Sequence, residues 1–387
     1  MRLKLNCLFV SIFCSSILFG QVSFENTDFQ KMDKHAQKVP NHISENVQLL
    51  TEYLIKPATN DYEKIRGIYT WIISNIQYDK AAYNADFYRI NKTNKDILKR
   101  RKAICFGYAK LLEEMCIYAN IESHLIIGYA KETHSFSENY DEINHAWNAV
   151  KLDKKWFLID ATWAAGSRLS NNSFSQLSEN SYFLSNPKNF VKNHLPAYRI
   201  WQLLDCPIDL ETFKKTSFSI HKIEEKCIHF QDSISVFQQL SWLEQRIKTM
   251  ESAYTENPVS KNKKELGQTY MDLEGRLSDY VERLQQNGLE DSIFIIQTQM
   301  IKLCEKASRL TNLYNNQVEN CAYTFMNQGV AISRKNDIKK IDLELMLLYF
   351  KNTQQYLETL PSTIFIEQGI KQAKNYIEFT ASELENY

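Results

Sequence analysis

INHAWNAVKLDKKWFLIDATW, residues 143–163, decides how the fold is read. Two apolar and aromatic runs, about 145–151 and 156–160, flank the polar Leu152-Asp153-Lys154-Lys155 and read as two short strands of a hairpin. With Asp153 and Lys154 at the tip, Leu152 pairs with Lys155 and Trp147 pairs with Asp160. Side chains alternate with period two, so His145 then lies diagonal to Asp160 on one face, within reach of a carboxylate–imidazole hydrogen bond. A slip of one residue destroys that parity. In this register Asp160 can fix the ring tautomer and leave the other nitrogen for a thiol elsewhere in the chain. The competing reading makes His145 a satisfied structural histidine and Asp160 a strand-end cap, and the local residues leave both open.

Working outward, Ser123–Ala130 reads as a further strand, and AICFGYAKLLEEMCIYAN starts a helix near Cys105 with Leu111, Leu112 and Met115 turned to a core. A cysteine at a helix N-terminus meets free backbone N–H groups and the positive end of the dipole, which favour a thiolate. Gly107 permits close packing of that first turn. The same position also suits a small buried cysteine. Cys116, eleven residues on, reads as core. Residues 42–56 form an earlier helix ended by Pro57, and Asp61 caps the next, whose stripe is Ile65, Ile68, Tyr69, Ile72 and Ile73. Segment 164–200 is rich in loops. From about 231 the chain becomes long amphipathic helices interrupted near Asn257-Pro258, Asn287-Gly288, Lys335-Asn336-Asp337 and Leu360-Pro361.

The first twenty residues, MRLKLNCLFVSIFCSSILFG, have the basic start, apolar middle and small terminal residue of a secretory signal peptide. Export to a periplasm, cell surface or medium is the expectation, with no stable membrane span once the leader is cleaved. The short leader and the modular build suggest a bacterial source. Of eight cysteines, Cys7 and Cys14 fall in the leader. The remaining Cys105, Cys116, Cys206, Cys227, Cys304 and Cys321 contain no C-x-x-C pair, so a zinc ribbon or thioredoxin motif is absent. In an oxidising compartment Cys206 with Cys227 and Cys304 with Cys321 are candidate bridges, although sequence order does not establish either. The formal net charge is zero, with 46 basic and 46 acidic residues, which gives no argument for nucleic acid as a partner. No organic cofactor motif and no calcium loop are present. His124 and His134 lack the neighbours of a metal site, and none is expected.

Three ordered blocks carry a family resemblance: Ala103-Ile104-Cys105-Phe106-Gly107-Tyr108-Ala109, His145-Ala146-Trp147-Asn148 and Asp160-Ala161-Thr162-Trp163. Together with Trp71–Asp79 upstream, they resemble the transglutaminase-like superfamily, whose core is papain-like. A narrower likeness, through Tyr182-Phe183-Leu184, Pro187, Phe190, His194-Leu195-Pro196 and Trp201–Leu204, is similar to its kyphoscoliosis-type peptidase and cytokinesis-protein branch. The resemblance covers about residues 60–205. It implies an α+β papain-like transglutaminase core, followed by a C-terminal all-helical domain that matches no family. The division expected is a signal peptide at 1–20, a transglutaminase-like cysteine protease domain at 22–205, a connector at 206–227 and a helical bundle-like domain of unknown role at 228–387.

The resemblance implies Cys105 as nucleophile, His145 as base and Asp160 as the group that orients it. The chemistry would be acyl transfer through a thioester: a cysteine peptidase or amidohydrolase if water enters, a protein-crosslinking transglutaminase if an amine does. The oxyanion would meet backbone donors and a side chain not assigned in the sequence. Trp71, Asn75 and Gln77 are candidates for it, and Tyr108, Trp147 and Trp163 are candidates for the cleft or the core. His194 reads as structural or as cleft rim. The substrate would be a protein or peptide, and the helical domain could bind a protein partner. The unassigned oxyanion group and the large helical addition motivate a second reading, a non-catalytic protein-interaction module that retains the fold.

Overall fold

A computed structural model describes residues 28–83, 93–131, 142–169, 181–215, 227, 229–286 and 290–387. The leader expected at residues 1–20, and His134, lie outside these residues.

Helix formation begins at α1 (Gln30–Ala36), α2 (Val47–Ile55) and α3 (Asp61–Asn75). The cap of α3 is Asn60, one residue before the expected Asp61: its side chain accepts from the Glu63 N–H. The helix expected over 42–56 is split, because Asn46 caps α2 while Asn41–Ile43 forms a separate tight turn of helix. After β1 (Gln77–Tyr78) come α4 (Lys80–Tyr83), α5 (Asn94–Arg100) and β2 (Lys102–Ala103), and β1 and β2 pair in parallel. Helix α6 (Cys105–Tyr118) follows directly, so β2 delivers the chain to the helix start at Cys105.

The main sheet is antiparallel, in the order β5-β4-β3-β6, from β3 (Glu122–Ala130), β4 (His145–Leu152), β5 (Lys155–Ile159) and β6 (His194–Pro196). The hairpin has the register read from the sequence, with Leu152 opposite Lys155 and Asn148 opposite Ile159. Asp153 and Lys154 both have positive φ, at 47° and 65°, which matches the twist of a tight two-residue turn. Between β5 and β6 lie α7 (Ala161–Leu169) and α8 (Pro187–Phe190).

One core joins α2, α3, α6 and α7 to one face of this sheet through Leu50, Ile68, Ile72, Leu112, Val150 and Ile159. On the other face Trp147, Trp156 and Trp201 meet Ile234 and Phe237 of α10 (Phe230–Gln238), after the short α9 (Leu210–Lys214). The C-terminal region is the helical array α11 (Trp242–Glu256), α12 (Ser260–Gln286), α13 (Glu290–Leu310), α14 (Asn315–Ser333), α15 (Lys340–Leu357) and α16 (Ile364–Glu385), in which successive helices pack together. Its apolar interior is continuous with Tyr129, Ile143, Val191 and Leu195 at the sheet. Asn262 donates to the buried Tyr129 hydroxyl at 3.1 Å, and Lys261 pairs with Glu142. Both candidate cysteine pairs are bridged, Cys206 with Cys227 and Cys304 with Cys321. Among the described residues no helix is long and apolar enough to cross a membrane.

Candidate functional site

Three segments bring polar side chains into one buried place. The first residue of β4 supplies His145, the first of β6 supplies His194, and Asp160 stands between the end of β5 and the start of α7. The hairpin register makes the first contact: His145 Nε2 lies 2.8 Å from Asp160 Oδ2. The β3–β6 pairing makes the second. Ala130 opposes His194, and His194 Nε2 lies 2.9 Å from the same Asp160 oxygen. Close approach of β6 depends on Gly128, since a Cβ there would stand 2.2 Å from the Leu195 carbonyl oxygen.

The other atoms of these side chains are held elsewhere. Asp160 Oδ1 accepts from the Thr162 and Trp163 N–H groups at 2.8 and 3.0 Å, capping α7. His194 Nδ1 sits 2.7 Å from Asn193 Oδ1. The His194 ring stacks on Phe190 at 4.1 Å between centroids and lies 4.5 Å from Trp163. All three polar residues are buried.

Burial by itself penalises every charge here, and the pairings decide which charges survive. For His145 burial pulls downward, but the Asp160 carboxylate outweighs it and pushes the ring up to about 10, with the Cys105 side chain a lesser contributor. Burial would raise the Asp160 carboxyl, yet the His145 charge and the two ring contacts hold it well below the usual carboxylate range. His194 follows burial and is pulled down to about 4, against the pull of Asp160. These directions favour a charged His145 beside a charged Asp160 and a neutral His194.

This corrects the expected catalytic triad. The atoms that converge within 4.8 Å of one another belong to His145, Asp160 and His194, and the Cys105 sulfur is not in that group. Cys105 is a buried free thiol, 1% exposed. Asp160 does not serve a single histidine; one of its oxygens is shared by two. The thiol-dependent acyl-transfer enzyme expected from the sequence, whether cysteine peptidase, amidohydrolase or crosslinking transglutaminase, is therefore set aside, and with it the description as a hydrolase. The expectation of a bacterial source likewise finds no support.

The remaining candidates are placed as follows. Trp71 is core, with the Arg101 guanidinium 4.8 Å over its ring. Asn75 donates to the Trp71 carbonyl at 2.9 Å, which occupies its amide within α3. Gln77 is exposed and pairs with Lys102 in the small parallel sheet. Tyr108 is buried and its hydroxyl donates to the Ile76 carbonyl at 2.5 Å. Trp147 and Trp163 flank the cluster, 5.1 and 4.5 Å from the His194 ring, and the Trp147 indole N–H has no hydrogen-bond partner. His124 stacks on Trp201 at 4.3 Å, apart from the cluster. Cys116 is core, as read. The residue whose part the sequence reading missed is His194. Its strand is three residues long and ends in proline, too short for any alternation to show.

Residues 48–161 match the family model described as the transglutaminase-like superfamily. The mouse protein "Kyphoscoliosis peptidase" is 36% identical over 203 residues, which cover 51% of this chain and 29% of that protein. "Hillarin" of Drosophila melanogaster is 26% identical over 229 residues, 55% of this chain and 27% of the relative. "Cytokinesis protein 3" of Schizosaccharomyces pombe is 26% identical over 177 residues, 45% and 20%. The chain thus spans less than a third of the length of these curated relatives. The α+β part of the chain carries a transglutaminase-like core of the branch that includes kyphoscoliosis peptidase, Hillarin and the cytokinesis proteins.

Proposed function

We propose that this chain is a non-catalytic protein-interaction module that keeps the transglutaminase-like core as a scaffold and recruits a protein partner through its helical region. The observation that carries the reading is the shared Asp160 oxygen: it ties β4, β6 and α7 together through two histidines, in a group that leaves the Cys105 sulfur out. A buried network of this kind holds three chain segments in one arrangement.

The helical region supports the rest. Its core runs into the sheet, so a partner bound there is held rigidly against the scaffold. On α16, Ile364 and Phe365 are 72% and 75% exposed, side chains of the type that protein contacts cover. The two disulfides favour an oxidising compartment, in keeping with the exported destination expected from the leader. The division into domains at 22–205 and 228–387 is part of this proposal.

The test compares the full chain with Cys105→Ala as immobilised baits in the same extract, alongside peptide hydrolysis and primary-amine incorporation assays. The reading expects the same partners in the same amounts from both baits and no turnover from either. Turnover by wild type that Cys105→Ala abolishes would end it.

A further inference from the structure

Helix α16 packs on α15 along one side, where Tyr376 stacks on Phe350 at 4.6 Å between centroids and Gly369 lets the Leu357 side chain approach. The other side carries a stripe at Phe365, Gln368, Gln372, Asn375, Phe379 and Ser382, all exposed and none charged. Phe365 and Phe379 are 75% and 59% exposed. Spacings of three and four alternate along the stripe, the period of a helix seam that faces another helix. Their order is the same from either end, three-four-three-four-three, so the stripe matches its own reverse. Two charges flank it on one edge: Lys371 one residue before Gln372, and Glu378 one residue before Phe379. Both are exposed, and neither has an ion-pair partner among the described residues. By contrast, Lys374 reaches Glu358 at 4.0 Å and Glu367 accepts from the Ser362 hydroxyl.

We propose that this face of α16 is a dimer surface whose occupant is α16 of a second copy of this chain, laid antiparallel about a two-fold axis. Reversing the chain direction sets Phe365 against Ser382 of the second copy, Gln368 against its Phe379 and Gln372 against its Asn375, and the two-fold repeats all three. Each ring then meets a side chain without one, and the central amides can hydrogen-bond each other, which fixes register in place of apolar bulk. The flanking charges select the direction. In the antiparallel arrangement the same edge of each helix meets, so each Lys371 faces Glu378 of the other copy. A parallel pairing would instead set Lys371 against Tyr376 and Glu378 against Glu383, a like-charge contact. With only two phenyl rings on the stripe of each copy, the dimer is weak and reversible. A membrane surface calls for a continuous apolar face rimmed by basic residues, and amides occupy the middle of this one. The inference deepens the interaction reading by naming one partner for the helical region, and it rests on that reading for this region as the surface used.

The experiment is analytical ultracentrifugation of the full chain, disulfides intact, from about 1 to 300 μM at low salt. The expected result is a rise from one chain mass toward two. Phe379→Asp, Lys371→Glu and Glu378→Lys should each weaken association about fivefold or more, with circular dichroism unchanged because all three side chains are exposed. The charge reversals then rescue one another. An equimolar mixture of Lys371→Glu and Glu378→Lys chains, and separately the double variant, should each return to within about twofold of wild type. Only a second copy in the antiparallel register restores the pairs in both arms. A wild type that stays monomeric at every concentration overturns the proposal and leaves the stripe to a different protein. A dimer that the reversals leave unchanged, or that neither rescue restores, overturns it as well. Turnover in the hydrolysis and amine assays would end the interaction reading while the dimer stood, and a monomeric wild type would end the dimer while other partners stood, so the two failures are told apart.

Discussion

Asp160→Asn tests the network without changing its shape. Asparagine can still offer one oxygen to the Thr162 and Trp163 N–H groups, so the cap of α7 persists. What disappears is the negative charge between two rings. Breaking a buried, hydrogen-bonded ion pair by removing one partner costs about 3–5 kcal/mol. The His145 shift from 6.5 to about 10 points to a similar size, since each unit is about 1.4 kcal/mol, roughly 5 kcal/mol as an upper figure. Against total stabilities of about 5–15 kcal/mol this is a large loss. The pH dependence carries the signature. His145 has a folded pKa above its unfolded value, so its stabilisation is complete below 6.5 and drains away as pH rises toward about 10. His194 has a folded pKa of about 4, below 6.5, so it costs stability as pH falls through that interval. Asp160 adds a further loss below its unfolded value of 3.8. Wild type should therefore be most stable near pH 6.5, and the alkaline fall should flatten in Asp160→Asn. Urea unfolding followed by circular dichroism from pH 5 to 10 measures both effects. A loss under about 1 kcal/mol, with the alkaline limb unchanged, would refute the reasoning.

Gly128→Ala would force β6 away from β3, because the new methyl meets the Leu195 carbonyl at 2.2 Å and the Pro196 Cα at 2.8 Å. It should cost about 2–4 kcal/mol, and its effect should be strongly non-additive with His194→Gln in a double-mutant cycle of urea midpoints. In the helical region, Glu274 is 1% exposed, has a carboxylate oxygen without a partner, and is raised by burial from 4.5 to about 7. The native state then holds a proton that the unfolded chain releases between those values, so stability falls as pH rises from 4.5 to about 7. Glu274→Gln should stabilise the protein above pH 7 by up to about 3 kcal/mol and leave it nearly unchanged at pH 4, read from thermal melts at the two pH values.

The parts of the fold set by local rules could be read directly. A two-residue turn with Asp153 and Lys154 fixes the hairpin register, and period-two alternation then carries His145 to the side of Asp160. The helix at Cys105 follows from its apolar stripe, and the same stripe places Cys116 in the core. The cluster's second histidine depends on a distant pairing. His194 reaches Asp160 only because β6 adds to the edge of β3 beside a residue with no side chain, and nothing local to His194-Leu195-Pro196 encodes that neighbour. Cysteine at a helix start, a histidine and an aspartate in matching contexts therefore led the sequence reading to a triad. The two bridges were readable as pairs of moderate separation, while the helical array's seat on the sheet, through Tyr129, Asn257 and Asn262, rests on contacts more than a hundred residues apart.

The most direct test of a buried, idle thiol is chemical. Native full chain and its His145→Ala variant are exposed to an iodoacetamide probe from pH 5 to 9, and the adducts on Cys105 and Cys116 are timed by mass spectrometry. Both thiols are buried, so the account predicts that each labels slowly, at a rate that increases with urea and follows the opening of the fold. Rapid labelling of Cys105 alone at low pH, slowed by loss of His145, would show an activated nucleophile and contradict the account.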